Sequence, residues 1–97
     1  MNLVVLVAAS ATMYLAKAPT YGCSSRPQVV ELQNVRADAP TFQRMLTEQV
    51  AYGQCVTIPL GAEVEGSNAD AETSTLLVNS KSDPPGYVVP LSDFKPK

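Results

Sequence analysis

The second half of the chain, after Gly53, alternates short apolar runs with turn residues, which is typical of a small antiparallel β domain. Successive side chains of an extended chain point to opposite faces, so Val56 and Ile58 share one face while Cys55 and Thr57 share the other. Similar short runs follow along the chain. The pattern predicts strands near residues 54–58, 62–65, 74–79 and 87–90.

Before Gly53 the apolar residues follow a different spacing along the chain. An apolar run that contains Val29, Val30 and Leu32 predicts a further strand near residues 29–35. Four apolar residues then recur at the spacing i, i+3, i+4 and i+8, which is one face of a helix: Phe42, Met45, Leu46 and Val50. The chain is therefore expected to fold as a mainly β, α+β domain, with five strands and one helix near residues 40–52.

The first 16 residues carry no charged side chain, and Lys17 ends this apolar run. The run is shorter than the roughly 20 residues that a membrane helix needs, and its length fits the apolar region of a signal peptide. We therefore expect residues 1–22 to be a signal peptide or membrane anchor, residues 23–28 a linker and residues 29–97 the folded domain. Two alternatives stay open: a retained membrane helix, and a cytosolic domain with Leu3 to Val7 as a core strand.

Composition argues against several classes of function. The formal net charge is -2 and no Lys/Arg cluster occurs, so the chain lacks the basic surface that nucleic-acid binding requires. The absence of His removes the commonest general base and the commonest zinc ligand. No nucleophile and base occur in a recognisable pattern. We expect no enzymatic activity, no cofactor and no metal site.

The two cysteines, Cys23 and Cys55, present one chemical choice. In an oxidising compartment they can form a disulfide, which for a loop of about 30 residues contributes on the order of 3–4 kcal/mol. Alternatively, Gly22-Cys23 resembles the modification site of bacterial lipoproteins, where a Gly-Cys pair follows a short apolar segment. If Cys23 carries a lipid, Cys55 is a single cysteine that acts as a small buried apolar side chain. The sequence leaves both possibilities open.

Several short motifs between residues 29 and 94 resemble the bacterial SH3 domain, a small barrel of about five strands. The segment from Leu32 to Pro40, LQNVRADAP, is similar to the family's opening L-N-V-R-x-G-P motif. Residues 56–64, with a turn ending in Gly, and the triplet GYV that contains Tyr87 are similar to its middle and closing strands. The resemblance implies a five-stranded SH3-like barrel with the helix near residues 40–52 inserted. It also implies that Tyr87 faces a ligand, since SH3-like domains bind peptides in aromatic-lined grooves.

These expectations combine into a non-catalytic binding module of the bacterial envelope, periplasmic or anchored to the membrane through its N-terminus. Its ligand would be a protein or the cell wall. Two other hypotheses concern different classes of protein: a structural subunit of a larger membrane-associated assembly, and a cytosolic orphan domain.

Overall fold

The structure is a computed structural model that describes residues 12–79 and 86–97. Within these ranges the chain forms seven strands, two α-helices and one 3₁₀ turn. In chain order they are β1 (Thr12–Ala16), β2 (Thr20–Cys23), α1 (Arg26–Asn34), α2 (Ala39–Ala51), β3 (Cys55–Ile58), β4 (Glu63–Asp70), β5 (Thr75–Asn79), β6 (Tyr87–Pro90), the 3₁₀ turn (Leu91–Asp93) and β7 (Phe94–Pro96).

All seven strands pair antiparallel in one sheet, in the order β3-β2-β6-β5-β4-β1-β7. The mainly β, α+β class is therefore confirmed, whereas the prediction of five strands was wrong. Strands β3 to β6 lie where alternation placed four of the predicted strands, and β1, β2 and β7 were not predicted.

Helix α1 occupies the segment in which the sequence predicted a strand near residues 29–35, so that prediction was wrong. Ser25 precedes the helix in an extended conformation. Pro27 stands in the first turn, where its missing N–H removes no helical hydrogen bond. Val29 and Leu32, three residues apart, are both buried on one side of the helix. The helix-start residues thus outweigh the β propensity of the apolar run.

Helix α2 confirms the helix predicted near residues 40–52. Its buried residue Leu46 lies on the predicted apolar face, and Phe42 and Met45 pack against the same cluster. Gly53 follows the helix with φ +76°, a left-handed conformation that glycine adopts without strain and that commonly ends helices.

Residues 12–28, which span most of the expected export segment and linker, form regular elements. Residues 12–23, which fall mostly in the expected export segment 1–22, form β1 and β2. The expected linker 23–28 contains the last residue of β2 and the first turn of α1. The run from Leu3 to Val7, the alternative core strand, lies outside the described residues.

Two short connections require the sheet to curl strongly. Three residues join β1 to β2, and the three-residue 3₁₀ turn joins β6 to β7, yet each pair is separated by four strand spacings in the sheet. Four spacings measure about 19 Å across a flat sheet, whereas four Cα steps reach at most about 14 Å. The ends of the sheet therefore approach each other. The hydroxyl of Thr20, in β2, donates to Asp93 Oδ2 at 2.7 Å across this closure.

The two faces of the curled sheet carry separate apolar clusters. The inner cluster, on the concave face, consists of Ala16, Leu76, Val78, Val89 and Phe94, with the partly buried Tyr14, Ile58, Ala62, Val64, Tyr87 and Leu91. The outer cluster lies between the sheet and both helices and consists of Tyr21, Cys23, Val29, Leu32, Leu46, Cys55 and Val88, with the partly buried Phe42, Met45 and Leu77. Alternation along each strand divides the side chains between the two clusters.

Candidate functional site

A disulfide between Cys23 and Cys55 lies in the outer cluster. The two residues are directly opposite each other on β2 and β3, with their Cα atoms 4.0 Å apart, and both are fully buried. The closed loop contains both helices. Because the sulfur of Cys23 is bonded to Cys55, it is not free to carry a lipid while this bond exists.

Tyr87, the predicted ligand-facing aromatic, lies half-buried at the start of β6 and packs on the inner cluster. It pairs with Val78 across the sheet, and its neighbour Val88 points to the outer cluster, because successive side chains of a strand lie on opposite faces. Gly22 of β2 makes room beside Tyr87, because a Cβ atom added at Gly22 would lie 3.2 Å from Tyr87 Cβ and 3.0 Å from Val89 Cγ1. The ring is therefore part of the core packing as well as partly open to solvent.

Arg36, in the connection between the helices, joins the helical layer to the closure of the sheet. Its guanidinium carbon lies 5.6 Å from the centre of the Tyr21 ring and 5.7 Å from that of Phe42, which is the distance of a cation–π contact. One guanidinium nitrogen lies 2.7 Å from Asp93 Oδ2 in the 3₁₀ turn. The same carboxylate oxygen accepts a hydrogen bond of 2.7 Å from Thr20 Oγ1. These contacts connect three separate parts of the chain.

The hydroxyl of Tyr21 is buried beneath this network and has no hydrogen-bond partner among the described residues. Tyr21 is only 1% exposed, and its ring packs against Phe42 with the centres 5.4 Å apart. Burial raises the pKa of the Tyr21 phenol to about 12, with Arg36 opposing the shift and Asp93 adding to it. The phenol is therefore neutral at physiological pH and unsuited to proton transfer there.

Arg26, at the start of α1, forms a second polar cluster with the hairpin between β4 and β5. Its Nε donates to Thr75 Oγ1 at 2.7 Å, and a terminal nitrogen donates to the carbonyl of Asn68 at 3.4 Å. Asp70 Oδ2 lies 3.9 Å from Arg26 Nε. The backbone amide of Glu72 donates to Asp70 Oδ1, and this bond lowers the pKa of the Asp70 carboxyl below its usual value. The cluster fixes α1 to the hairpin.

An open depression of about 580 Å³ lies along α1, next to this cluster. It is lined by Arg26, Pro27, Gln28, Val30, Glu31, Asn34 and Thr73. Apolar surface predominates, and one cation and one anion stand at its border.

In the described ranges, no group of three or more metal-ligating side chains occurs, and no helix is both long and apolar enough to cross a membrane. Comparison with family models, with curated proteins and with solved structures gave no match for this chain. The interpretation of the site therefore depends on its geometry.

The sequence predictions named the two cysteines and Tyr87 and included neither arginine cluster. Arg36 and Asp93 are 57 residues apart in sequence, so no local pattern connects them. The sequence around Arg26 gave a weak signal of a helix start, because Arg26 lies between Ser25 and Pro27, two residue types that are common where helices begin. Recognising α1 as a helix would have placed Arg26 at its first turn, but not opposite Thr75.

Proposed function

We propose that the protein is a non-catalytic binding module of the bacterial envelope, located in an oxidising compartment and recognising a protein or cell-wall ligand. The observation that carries the proposal is the buried disulfide Cys23–Cys55. Disulfides persist in extracytoplasmic compartments and are rare in cytosolic proteins of ordinary organisms. The cytosolic alternative is less favoured for the same reason.

We keep the SH3-like barrel as a proposal, and in this sheet it requires β2, both helices and β3 to be set aside as one inserted segment. That segment contains the opening motif at residues 32–40, which forms the end of α1 and the start of α2, so only the later motifs fall on strands of the remaining five. Strands β6, β5, β4, β1 and β7 are consecutive in the sheet, and the 3₁₀ turn joins the first of them to the last. The inserted segment then runs from β2 through both helices to β3. It is larger than the single helix near residues 40–52 that the resemblance implied.

The fold constrains how export can occur. β1 pairs with both β4 and β7, and β2 pairs with both β3 and β6. Cleavage after residue 22 would remove β1 and all of β2 except Cys23. The proposal therefore requires a mature chain that keeps Thr12 onwards.

Two surfaces are available for the ligand. Tyr87, partly exposed at the edge of the inner cluster, is the aromatic side chain that the SH3 resemblance assigns to a groove. The depression along α1 is lined by the apolar Pro27 and Val30 together with charged side chains. We assign the ligand to Tyr87 and treat the α1 depression as the competing surface.

Location is tested on the protein from its native host, lysed in a thiol-alkylating reagent. We expect the intact mass to match a chain that begins at or before Thr12 and carries no alkyl group. When the protein is reduced before alkylation, the mass should increase by two alkyl groups. A mass with both cysteines alkylated without reduction would place the protein in a reducing compartment. A chain beginning after Thr12 would contradict the role of β1 and β2 in the mature fold.

Binding is tested by co-sedimentation with purified peptidoglycan sacculi and by cross-linking in envelope protein extract. Tyr87→Ala should weaken binding at least about tenfold, as the loss of an aromatic anchor does. Tyr14→Ala is the matched control, because Tyr14 is also half-buried in the inner cluster and its loss should destabilise the domain to a similar degree. Equal losses in both variants would remove Tyr87 from the site. A third variant, Val30→Glu, places a charge in the depression along α1. If only this variant loses binding, the site lies at α1.

A further inference from the structure

The curled sheet has two edge strands, β3 and β7, and only one of them is protected. β7 and the residue after it contribute Lys95, Pro96 and Lys97, and Lys97 forms an ion pair with Glu63. Charged side chains and proline are common means of blocking unwanted strand pairing at an edge. β3, with the sequence CVTI, contains neither.

Hydrogen bonding on β2 shows which backbone groups of β3 are left over. The amide of Ser24 donates to the carbonyl of Gln54 at 2.9 Å, just beyond the opposed cysteines. Hydrogen-bonded and non-hydrogen-bonded pairs alternate in an antiparallel ladder. The backbone of Val56 therefore forms hydrogen bonds with β2, whereas the backbone groups of Cys55 and Thr57 do not. The N–H and C=O groups of Cys55 and Thr57 therefore point to the outer side of β3. No described strand lies on that side.

The surroundings of this edge are apolar and uncharged. Residues 49–62 contain no charged side chain. The described residues have four exposed large apolar side chains, and three of them, Val50, Tyr52 and Leu60, lie within six residues of β3. Thr57 itself is exposed. A partner for this edge must be an uncharged extended strand, since a charged strand would lose hydration without gaining an opposite charge.

We propose that the occupant is a second copy of this chain, bound by antiparallel pairing of the two β3 strands about a two-fold axis at Val56. The free groups are placed symmetrically one residue before and one residue after Val56, so Cys55 of each copy faces Thr57 of the other. Both facing pairs are then hydrogen-bonded pairs, which gives four backbone hydrogen bonds between the copies. The uncharged strand CVTI is its own complement, and such an interface is isologous.

The association state tests this proposal by sedimentation velocity on the full chain, from about 1 µM to about 1 mM. We expect a reversible monomer–dimer equilibrium, and Thr57→Pro should weaken it at least about tenfold because it removes one outward N–H from each copy. Thr57→Val keeps the N–H and should retain the dimer. Thr57→Lys, which places like charges at the shared edge, should also weaken it and serves if the proline variant does not fold.

A monomer throughout this concentration range would overturn the proposal, as would a dimer that neither Thr57→Pro nor Thr57→Lys weakens. Amide hydrogen exchange separates the remaining possibility. Protection of the Cys55 and Thr57 amides that grows with protein concentration supports pairing between copies. Protection that is independent of concentration would mean that the same chain covers the edge, which contradicts the proposal.

Discussion

The outer and inner clusters bury the two faces of one sheet by different means. The outer cluster is covered by two helices, is cross-linked by the disulfide and is capped by the Arg36 network. In the described residues, the inner cluster has no helix, no cross-link and no ion pair among its members, and it is covered by the curl of the sheet itself. Two glycines permit this close packing. A Cβ atom at Gly66 would lie 2.8 Å from Leu76 and Tyr14 atoms, and one at Gly22 would lie 3.0 Å from Val89.

The difference indicates what each face requires in order to fold. The inner cluster forms when strands pair and the short connections close, so its stability depends on the sheet. The outer cluster also requires the segment from residue 24 to residue 54 to dock, and ordering a long segment has a large entropic cost. We infer that the disulfide, which limits the freedom of that segment in the unfolded chain, stabilises the outer cluster more than the inner one.

Leu76→Ala should give the largest loss of stability. Leu76 is fully buried in the central strand β5, with paired strands on both sides that hinder collapse of the cavity. We expect the free energy of unfolding in urea to fall by about 3–5 kcal/mol. The matched variant Leu32→Ala, on α1, should cost about 2–3 kcal/mol, because a helix can shift to fill part of the space. A larger loss for Leu32→Ala would reverse the comparison.

Removing the disulfide should have the next largest effect and should act unevenly. For the closed loop, with a sequence separation of 32 between the cysteines, we expect the combined Cys23→Ala and Cys55→Ala variant to lose about 3–4 kcal/mol. Amide exchange should accelerate more at Tyr21 and Leu32 than at Leu76 and Val89. As a control, dithiothreitol reduces the disulfide of the original protein without changing any side chain to alanine. It therefore separates the loss of the cross-link from packing defects that alanine introduces. Equal acceleration at all four amides would show that the clusters unfold as one unit.

The sequence predicted the inner face better than the outer face. Successive side chains of a strand point to opposite faces, so once β3 to β6 are located, the residues that share a side follow from the local chain. The outer face requires knowledge of α1, whose apolar residues Val29 and Leu32 fit a helix and a strand almost equally. The spacing Ser25-x-x-Gln28 was the local signal of a helix start. The Gln28 side chain accepts a hydrogen bond of 3.1 Å from the Ser25 backbone amide, as in a capping box.

Strands β1 and β2 were hidden by a different ambiguity. An uncharged apolar N-terminus fits an export segment and a buried strand alike, and the pairing partners of these strands lie 32 to 82 residues away. The candidate site shows the same limit. Tyr87 was identified from its own neighbours, whereas the Arg36–Asp93 pair depends on the closure of the sheet.

Tyr21→Phe should have the smallest effect, and it tests whether the outer cluster contains a destabilising polar group. The Tyr21 hydroxyl is buried with no partner among the described residues, and an unsatisfied buried polar group opposes folding. We therefore expect Tyr21→Phe to be neutral or to stabilise the protein by up to about 1 kcal/mol near pH 7, as measured by urea denaturation. A loss above about 1 kcal/mol would show that the hydroxyl has a partner in solution, such as an ordered water.

The same variant gives a pH test with a defined sign. The Tyr21 pKa is about 12 in the folded protein and 10.0 for an unperturbed tyrosine, so at pH values between these the unfolded chain loses a proton that the folded chain keeps. The unfolded state then binds fewer protons, and stability falls as pH rises, with a limiting slope of about 1.4 kcal/mol per pH unit. Below pH 10 this contribution is fully present. All other side chains are the same in both proteins, so the difference between the original protein and Tyr21→Phe isolates Tyr21. That difference should favour the Phe variant increasingly from pH 10 to pH 11, and a constant difference would mean that the phenol ionises as easily in the fold as in water.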